Sequence, residues 1–300
     1  MAGQKDMDYV YTLIDRVFRL TIGESGDFSG AMYNGDFSMS LEQAQEQKHR
    51  FICEQLAITR GSKVLDMGCG WGPFLKYIKA QGAEGTGLTL SHGQAEACAR
   101  SGLKALIMDC RAVTPETIGT FDAVASLGAF EHFCSIEDWQ AGGQEEIYKR
   151  FFRTVSGLLP VGGRFYLQTM VFGRNMIDYP QIDIRADRNS TAYLLAVMRR
   201  QFPGSWLPYG FEQIERTARP RFRTVNKSSG RLDYIETIHQ WGMRYRSFNL
   251  KKYAVYLSLV PRWLASAELR SRLSRDQVRA NRQLFEREVL DHYRIVFEKI

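Results

Sequence analysis

The stretch VLDMGCGWG, residues 64–72, constrains this chain more than any other. An apolar run carrying Asp66 reaches a turn that holds Gly68, Gly70 and Gly72, and a helical segment follows near 73–81. Glycine at such a strand-to-helix turn adopts conformations other residues avoid and lets the main chain approach a ligand. The same texture then repeats. AEGTGLTL, KALIMDC, FDAVASLG and GRFYLQTM are short β-like runs, separated by helical segments near 91–101 and 143–158. Strand alternating with helix implies parallel pairing through right-handed crossovers, so a doubly wound α/β sheet is predicted.

The flanks read differently. Val10, Leu13, Ile14, Val17 and Phe18 fall at helical spacing, which predicts an amphipathic helix over 7–20. SMSLEQAQEQKHRFICEQL reads as a second helix, capped by Ser40 with Gln43 three residues on. After Met170 the alternation stops, and a long stretch mixing Pro, Arg and aromatics reads as a largely helical cap. The final LSRDQVRANRQLFEREVLDHYRIVFEKI reads as a helix leading into a strand near 291–298. The organisation expected is N-terminal helices over 1–60 and an α/β core over 61–170. A cap over 171–220 and the remaining core strands and C-terminal helices over 221–300 complete it.

Composition removes several classes. A chain of 300 residues with 44% hydrophobic content can bury a sizeable core as one large domain or two small ones. No apolar run approaches the ~20 residues of a membrane span. The N-terminus lacks the apolar core and small-residue cleavage site of a signal peptide. Five cysteines at irregular spacing form neither a disulfide framework nor a zinc pattern, so reduced thiols, a cytoplasmic location and no metal are expected. The net charge of +7 is concentrated late in the chain, between Arg244 and Arg282. That excess suits an anionic partner or a solvated helical surface. No RNP motif, zinc pair or helix-turn-helix signature supports nucleic acid. NLKKYAVYLSLVPRWL interleaves Lys251, Lys252 and Arg262 with Tyr253, Tyr256 and Trp263, a mixture suited to a peripheral membrane contact, a homodimer contact or packing on the sheet.

Taken alone, the glycine turn also suits a dinucleotide pyrophosphate. Pro73 prevents completion of G-x-G-x-x-G, and the second strand ends GLTLS without an acid to grip a ribose. Cys69 reads as a small buried turn residue, and Asp66 as a structural or ligand-orienting carboxylate. SLGAFEHF, residues 126–133, places Glu131 at the mouth of a buried strand. A carboxylate there is costly unless something uses it. A salt bridge to Arg185 or Arg188 is one use, and chemistry is the other.

In order along the chain, SLEQAQEQK, VLDMGCGWG, GLTLSHGQ, GAFEHF, LLPVGGRFYLQT and FPGSWLP resemble the S-adenosylmethionine-dependent methyltransferases. More narrowly they resemble the cyclopropane-fatty-acid synthase family, including mycolic acid cyclopropane synthases. The resemblance runs from about residue 28 to about 245 and returns weakly at the C-terminus. It implies a seven-stranded class I methyltransferase sheet, Rossmann-like, with a helical substrate cap. It also implies a cofactor site. Gly68 and Gly70 would lie against the methionine part beside Asp66, and Thr89 and Gln94 would serve the ribose, the glutamine replacing an acid. Asp109, Cys110 and Arg111 would frame the adenine. Phe28 and Ser29 match a Tyr-Ser pair that closes over the cofactor.

In the resembling enzymes an alkene carbon takes the sulfonium methyl, and a bicarbonate ion removes a proton from the resulting carbocation. Glu131 matches the glutamate that holds this ion, and Tyr234 matches the tyrosine. Gly30 stands at the cysteine position, where only a backbone amide is needed. Gln168 stands at the histidine position, where it can hydrogen-bond an ion but cannot carry a proton. Two readings follow: bicarbonate in a poorer cage, or Glu131 acting directly. The cap offers Tyr179, Tyr193, Leu194, Leu195, Met198, Phe202, Trp206 and Tyr209 as an apolar lining for an acyl or isoprenoid chain. Arg185, Arg188, Arg199 and Arg200 suit a phosphate or carboxylate group. The expected activity is methyl transfer to an alkene carbon of a lipid or prenyl diphosphate-like substrate. An N- or O-methyltransferase of a small hydrophobic acceptor is the alternative, and a cofactor-binding protein without catalysis is the third reading.

Overall fold

The computed structural model describes residues 22, 26–201, 204–248, 250–265 and 276–300. The helix expected over 7–20 and Phe202 lie outside them. Seven strands form one sheet: β1 (Lys63–Met67), β2 (Glu84–Thr89), β3 (Lys104–Ile107), β4 (Ala123–Leu127), β5 (Arg164–Phe172), β6 (Phe222–Ser229) and β7 (Leu290–Lys299). Their order is β3-β2-β1-β4-β5-β7-β6. The first five run parallel, and β7 lies antiparallel between β5 and β6. The strand order reverses between β1 and β4, the place where an open α/β sheet leaves a crevice beyond its carboxyl ends.

Buried apolar side chains hold each face. Phe151 and Phe152, from helix Gln144–Leu158, pack with Phe165, Phe222 and Phe297 of the sheet. Helix Leu41–Gln55 starts at Ser40 with the expected reciprocal bonds to Gln43 and covers the opposite face with helix Pro73–Ala80. The stretch 171–220 divides in two. Helix Thr191–Gln201 lies over the sheet's carboxyl end with the short turn Tyr179–Gln181. Helix Gly210–Ala218 instead packs Phe211, Ile214 and Ala218 into the phenylalanine core.

Strand β6 carries little apolar pattern because it is an edge strand. After the buried Phe222 its residues alternate between exposed and half-buried, and a register shift falls between Thr224 and Asn226. Among the described residues no helix is long and apolar enough to cross a membrane. No group of three or more metal-ligating side chains forms among them either.

Candidate active site

The cleft opens where β1, β2, β3 and β4 end. Phe28, Ser29, Asp66, Gly68, Gly70, Thr89, Gln94, Asp109, Cys110 and Arg111 all border it. The turn after β1 shapes its floor. Gly68, with φ of +87°, has no room for a side chain, because a Cβ there would sit 2.5 Å from that of Ala129. At Gly70 a Cβ would meet nothing within 4 Å, so this position faces open space. Asp66 is 2% exposed. Its Oδ1 has no partner, and burial pushes the carboxyl up to about 8.

Two further pairs are preset. The Thr89 hydroxyl donates to Gln94 Oε1 at 2.7 Å, fixing the glutamine amide at the end of β2. Arg111 grips Asp109 through Nε at 3.0 Å and Nη2 at 2.6 Å. Burial opposes the Asp109 charge, but these bonds outweigh it and hold the carboxyl below its usual range. Phe28 stacks on Trp241 with ring centroids 4.9 Å apart. The Ser29 hydroxyl is already committed, donating to Asp27 at 2.7 Å.

Beyond the cleft lies a second group. Glu131 sits in the turn Phe130–His132 after β4 and is 3% exposed. Its Oε1 accepts from the Met170 amide at 2.8 Å, while Oε2 is buried without a partner. Desolvation pushes this carboxyl up to about 7. Among the described residues it forms no salt bridge, and Arg185 pairs with Asp183 at the surface instead. His132 lies 3.1 Å from Ser205 Oγ, and burial pulls it down to about 4.

Gln168 is engaged on both sides. Its Nε2 donates to the Gly30 carbonyl at 2.9 Å, and its Oε1 accepts from the Tyr166 hydroxyl at 3.0 Å. Gly30 has a steric reason to be glycine: a Cβ would lie 2.8 Å from Tyr234 Cδ2 and 3.0 Å from His292 Cε1. Tyr234 stacks on His292, 4.8 Å between centroids. Sequence reasoning missed His292. Its only signal is a polar residue at an inward position of β7, opposite Met170 in the ladder.

On the cap, Arg199 donates to the Tyr179 hydroxyl at 3.0 Å and lies over the ring of Tyr179, 4.6 Å from its centroid. Arg185 and Arg200 are exposed at the surface, and Tyr193 is half-buried against the cap cluster. Trp206 is sealed: it stacks on Trp139 at 4.4 Å and donates to the Tyr209 hydroxyl.

A reversed parallel sheet closed by an antiparallel strand, with a glycine turn and this cleft, defines a class I S-adenosylmethionine-dependent methyltransferase. The cleft fits that cofactor: the unpartnered Asp66 carboxyl suits its amino group, and the space beside Gly70 suits a chain lying on the backbone. The family described as mycolic acid cyclopropane synthetase matches residues 2–260, and the chain belongs to it. Cyclopropane mycolic acid synthase 3 of Mycobacterium tuberculosis is 29% identical over 236 residues, 77% of this chain and 78% of that one. The cyclopropane-fatty-acyl-phospholipid synthase of Escherichia coli is 29% identical over 211 residues, 69% of this chain but 48% of its own. In fold, the mycolic acid cyclopropane synthase CmaA1 complexed with SAH and CTAB superposes with a TM-score of 0.78 at 22% identity, over 99% of this chain and 98% of that one.

Proposed function

We propose that this protein transfers a methyl group to an alkene carbon of a lipid or isoprenoid through a carbocation, giving a cyclopropane or C-methylated product. The observation that supports this reading best is Glu131: a buried carboxylate with one oxygen held by the Met170 amide and the other uncommitted. Methylation of a hydroxyl or amine calls at most for a base beside the heteroatom and needs no cation-quenching carboxylate. A positive charge developing on carbon does, because a fixed anion in a dry site stabilises it without reorganising.

S-adenosylmethionine in the cleft supplies an electrophilic methyl group. Asp66 would meet its amino group, Thr89 and Gln94 its ribose, and Asp109, Cys110 and Arg111 its adenine. Phe28 forms part of the wall over it. Methyl transfer would form a carbon–carbon bond as the sulfonium–methyl bond breaks, with S-adenosylhomocysteine leaving and a cation remaining on the acceptor. Glu131 then takes a proton: removal from the transferred methyl closes the cyclopropane, and removal from a neighbouring carbon forms a new alkene.

This assignment makes Glu131 the base itself rather than the holder of a bicarbonate ion. Gln168 gives one amide hydrogen to the Gly30 carbonyl and accepts from Tyr166, which leaves a single N–H for a small anion, and unlike a histidine it cannot carry a proton. On the acceptor side, Tyr193 contributes apolar surface and Arg199 the charge for an anionic head. Helix Leu250–Ala265 exposes Leu250 and Leu257 next to a lysine pair in sequence, which suits peripheral contact with the bilayer that holds a lipid acceptor.

The test is an acceptor panel. Purified protein is incubated with methyl-labelled S-adenosylmethionine and unsaturated phospholipids, prenyl diphosphates, aromatic acids and amines. Label should enter only alkene-bearing acceptors. Label confined to the acids or amines would establish a heteroatom methyltransferase instead.

A further inference from the structure

Residues 26–33 carry no regular structure among their described positions, yet Gly26, Asp27, Phe28 and Ser29 form a wall of the cofactor cleft. Irregular backbone at such a place must be held by side chains. Here the tie is a buried charge pair. Asp27 is 2% exposed and Lys48 fully buried. Lys48 Nζ lies 2.7 Å from Asp27 Oδ2, and His49 Nε2 lies 3.0 Å from the same oxygen. The Ser29 hydroxyl donates to Asp27 Oδ1 at 2.7 Å and accepts from Lys48 at 2.6 Å. Gln45 completes the knot, accepting from Lys48 and donating to the Ser29 carbonyl at 2.9 Å.

Gln45, Lys48 and His49 fall at i, i+3 and i+4, so a single face of helix Leu41–Gln55 supplies every partner from outside residues 26–29 themselves. Burial works against the charge on Asp27, but Lys48 and His49 outweigh it and keep the carboxyl below its usual range. The second half of the strap is anchored separately. The Gly30 carbonyl accepts from Gln168, the Ala31 amide donates to Thr237, and the Ala31 carbonyl accepts from Arg294. Lys48 itself does not border the cleft.

We infer that Lys48 is a positioning residue for cofactor binding: it fixes Asp27 and Ser29, and through them the strap that walls the cleft. The inference rests on the reading of this cleft as the S-adenosylmethionine site. Removing one partner of a buried ion pair leaves an uncompensated charge that cannot stay where it is. Without Lys48, Asp27 must take a proton, draw one onto His49 or turn outward to water, and each change also leaves the Ser29 hydroxyl without its donor and loosens residues 26–29. The phenylalanine core lies on the other face of the sheet and is not involved.

S-adenosylhomocysteine serves as the probe, by calorimetry on the full chain, with hydrogen exchange read peptide by peptide. Native protein must bind it; failure there sinks the reading of the cleft and not the tie between Lys48 and Asp27. Lys48→Met should raise the dissociation constant at least tenfold and speed exchange in residues 26–33 alone. Should that variant not fold, Gln45→Leu keeps the ion pair but cuts the tie to Ser29, and should weaken binding roughly threefold to fivefold with the same local exchange. Lys48→Met combined with Asp27→Asn leaves no unpaired charge and should bind more tightly than Lys48→Met alone. Binding within twofold of native in Lys48→Met or, where that variant does not fold, in Gln45→Leu would overturn the inference. Exchange accelerating evenly across the sheet, or no recovery in the double variant, would overturn it equally.

Discussion

Glu131→Gln isolates charge from shape at the residue that carries the proposed chemistry. Glutamine is nearly isosteric, and its carbonyl oxygen can still accept from the Met170 amide, so the turn Phe130–His132 keeps its anchor. What disappears is the charge on a carboxylate whose Oε2 is buried with no partner. A unit charge about 4 Å from a developing cation, at an effective dielectric near 20, contributes about 4 kcal/mol. Loss of it corresponds to roughly a thousandfold in rate. The assay is single-turnover methyl transfer with labelled cofactor, alongside S-adenosylhomocysteine affinity by calorimetry. Turnover should collapse while affinity stays within about twofold. The pH profile supplies a second signature. Burial raises the Glu131 carboxyl to about 7, so the native enzyme holds it neutral in acid and its rate should climb with pH through about 7 before levelling. Glu131→Gln should lack that limb. Near-native turnover to the same product in this variant would refute the carbocation role.

Two other changes probe the remaining surfaces of the site. Gly70→Val should abolish S-adenosylhomocysteine binding, because the new side chain enters open cleft space and a β-branched residue is strained at this φ of +54°, while far-ultraviolet circular dichroism keeps the signal of the sheet; normal calorimetric binding would contradict the placement. Arg199→Ala should raise the acceptor's KM with cofactor affinity unchanged, if the cation stacked on Tyr179 receives the acceptor's anionic head; unchanged acceptor kinetics would return Arg199 to a purely packing role.

The five parallel strands were legible because each is a short apolar run closed by a turn, a pattern the sequence writes locally. Most of the residues bordering the cleft were legible for the same reason: apart from the segment 26–29, those named from the sequence sit at or just after strand ends, in motifs a few residues long. Glu131 stood out because burying a carboxylate is expensive. Strand β6 did not, since an edge strand with polar alternation resembles a loop. Helix Gly210–Ala218 read as cap because its apolar positions suit a lid and a sheet equally well. Lys48 and His292 were invisible as functional residues because their meaning lies in distant partners. Asp27 is 21 positions from Lys48, and the Arg294 side chain reaches the Ala31 carbonyl across 263. No local period encodes such contacts. Trp206 shows the converse limit: its place in a motif suggested a lining, but only packing shows that Trp139 and Tyr209 enclose it.

The central claim is that the methyl group goes to carbon. The most direct measurement uses S-adenosylmethionine labelled with carbon-13 and deuterium in the methyl group, followed by nuclear magnetic resonance of the product. A carbon-bound label is expected, retaining two deuteriums in a cyclopropane methylene or three in a methyl branch. A label bound to nitrogen or oxygen with all three deuteriums intact would contradict the account.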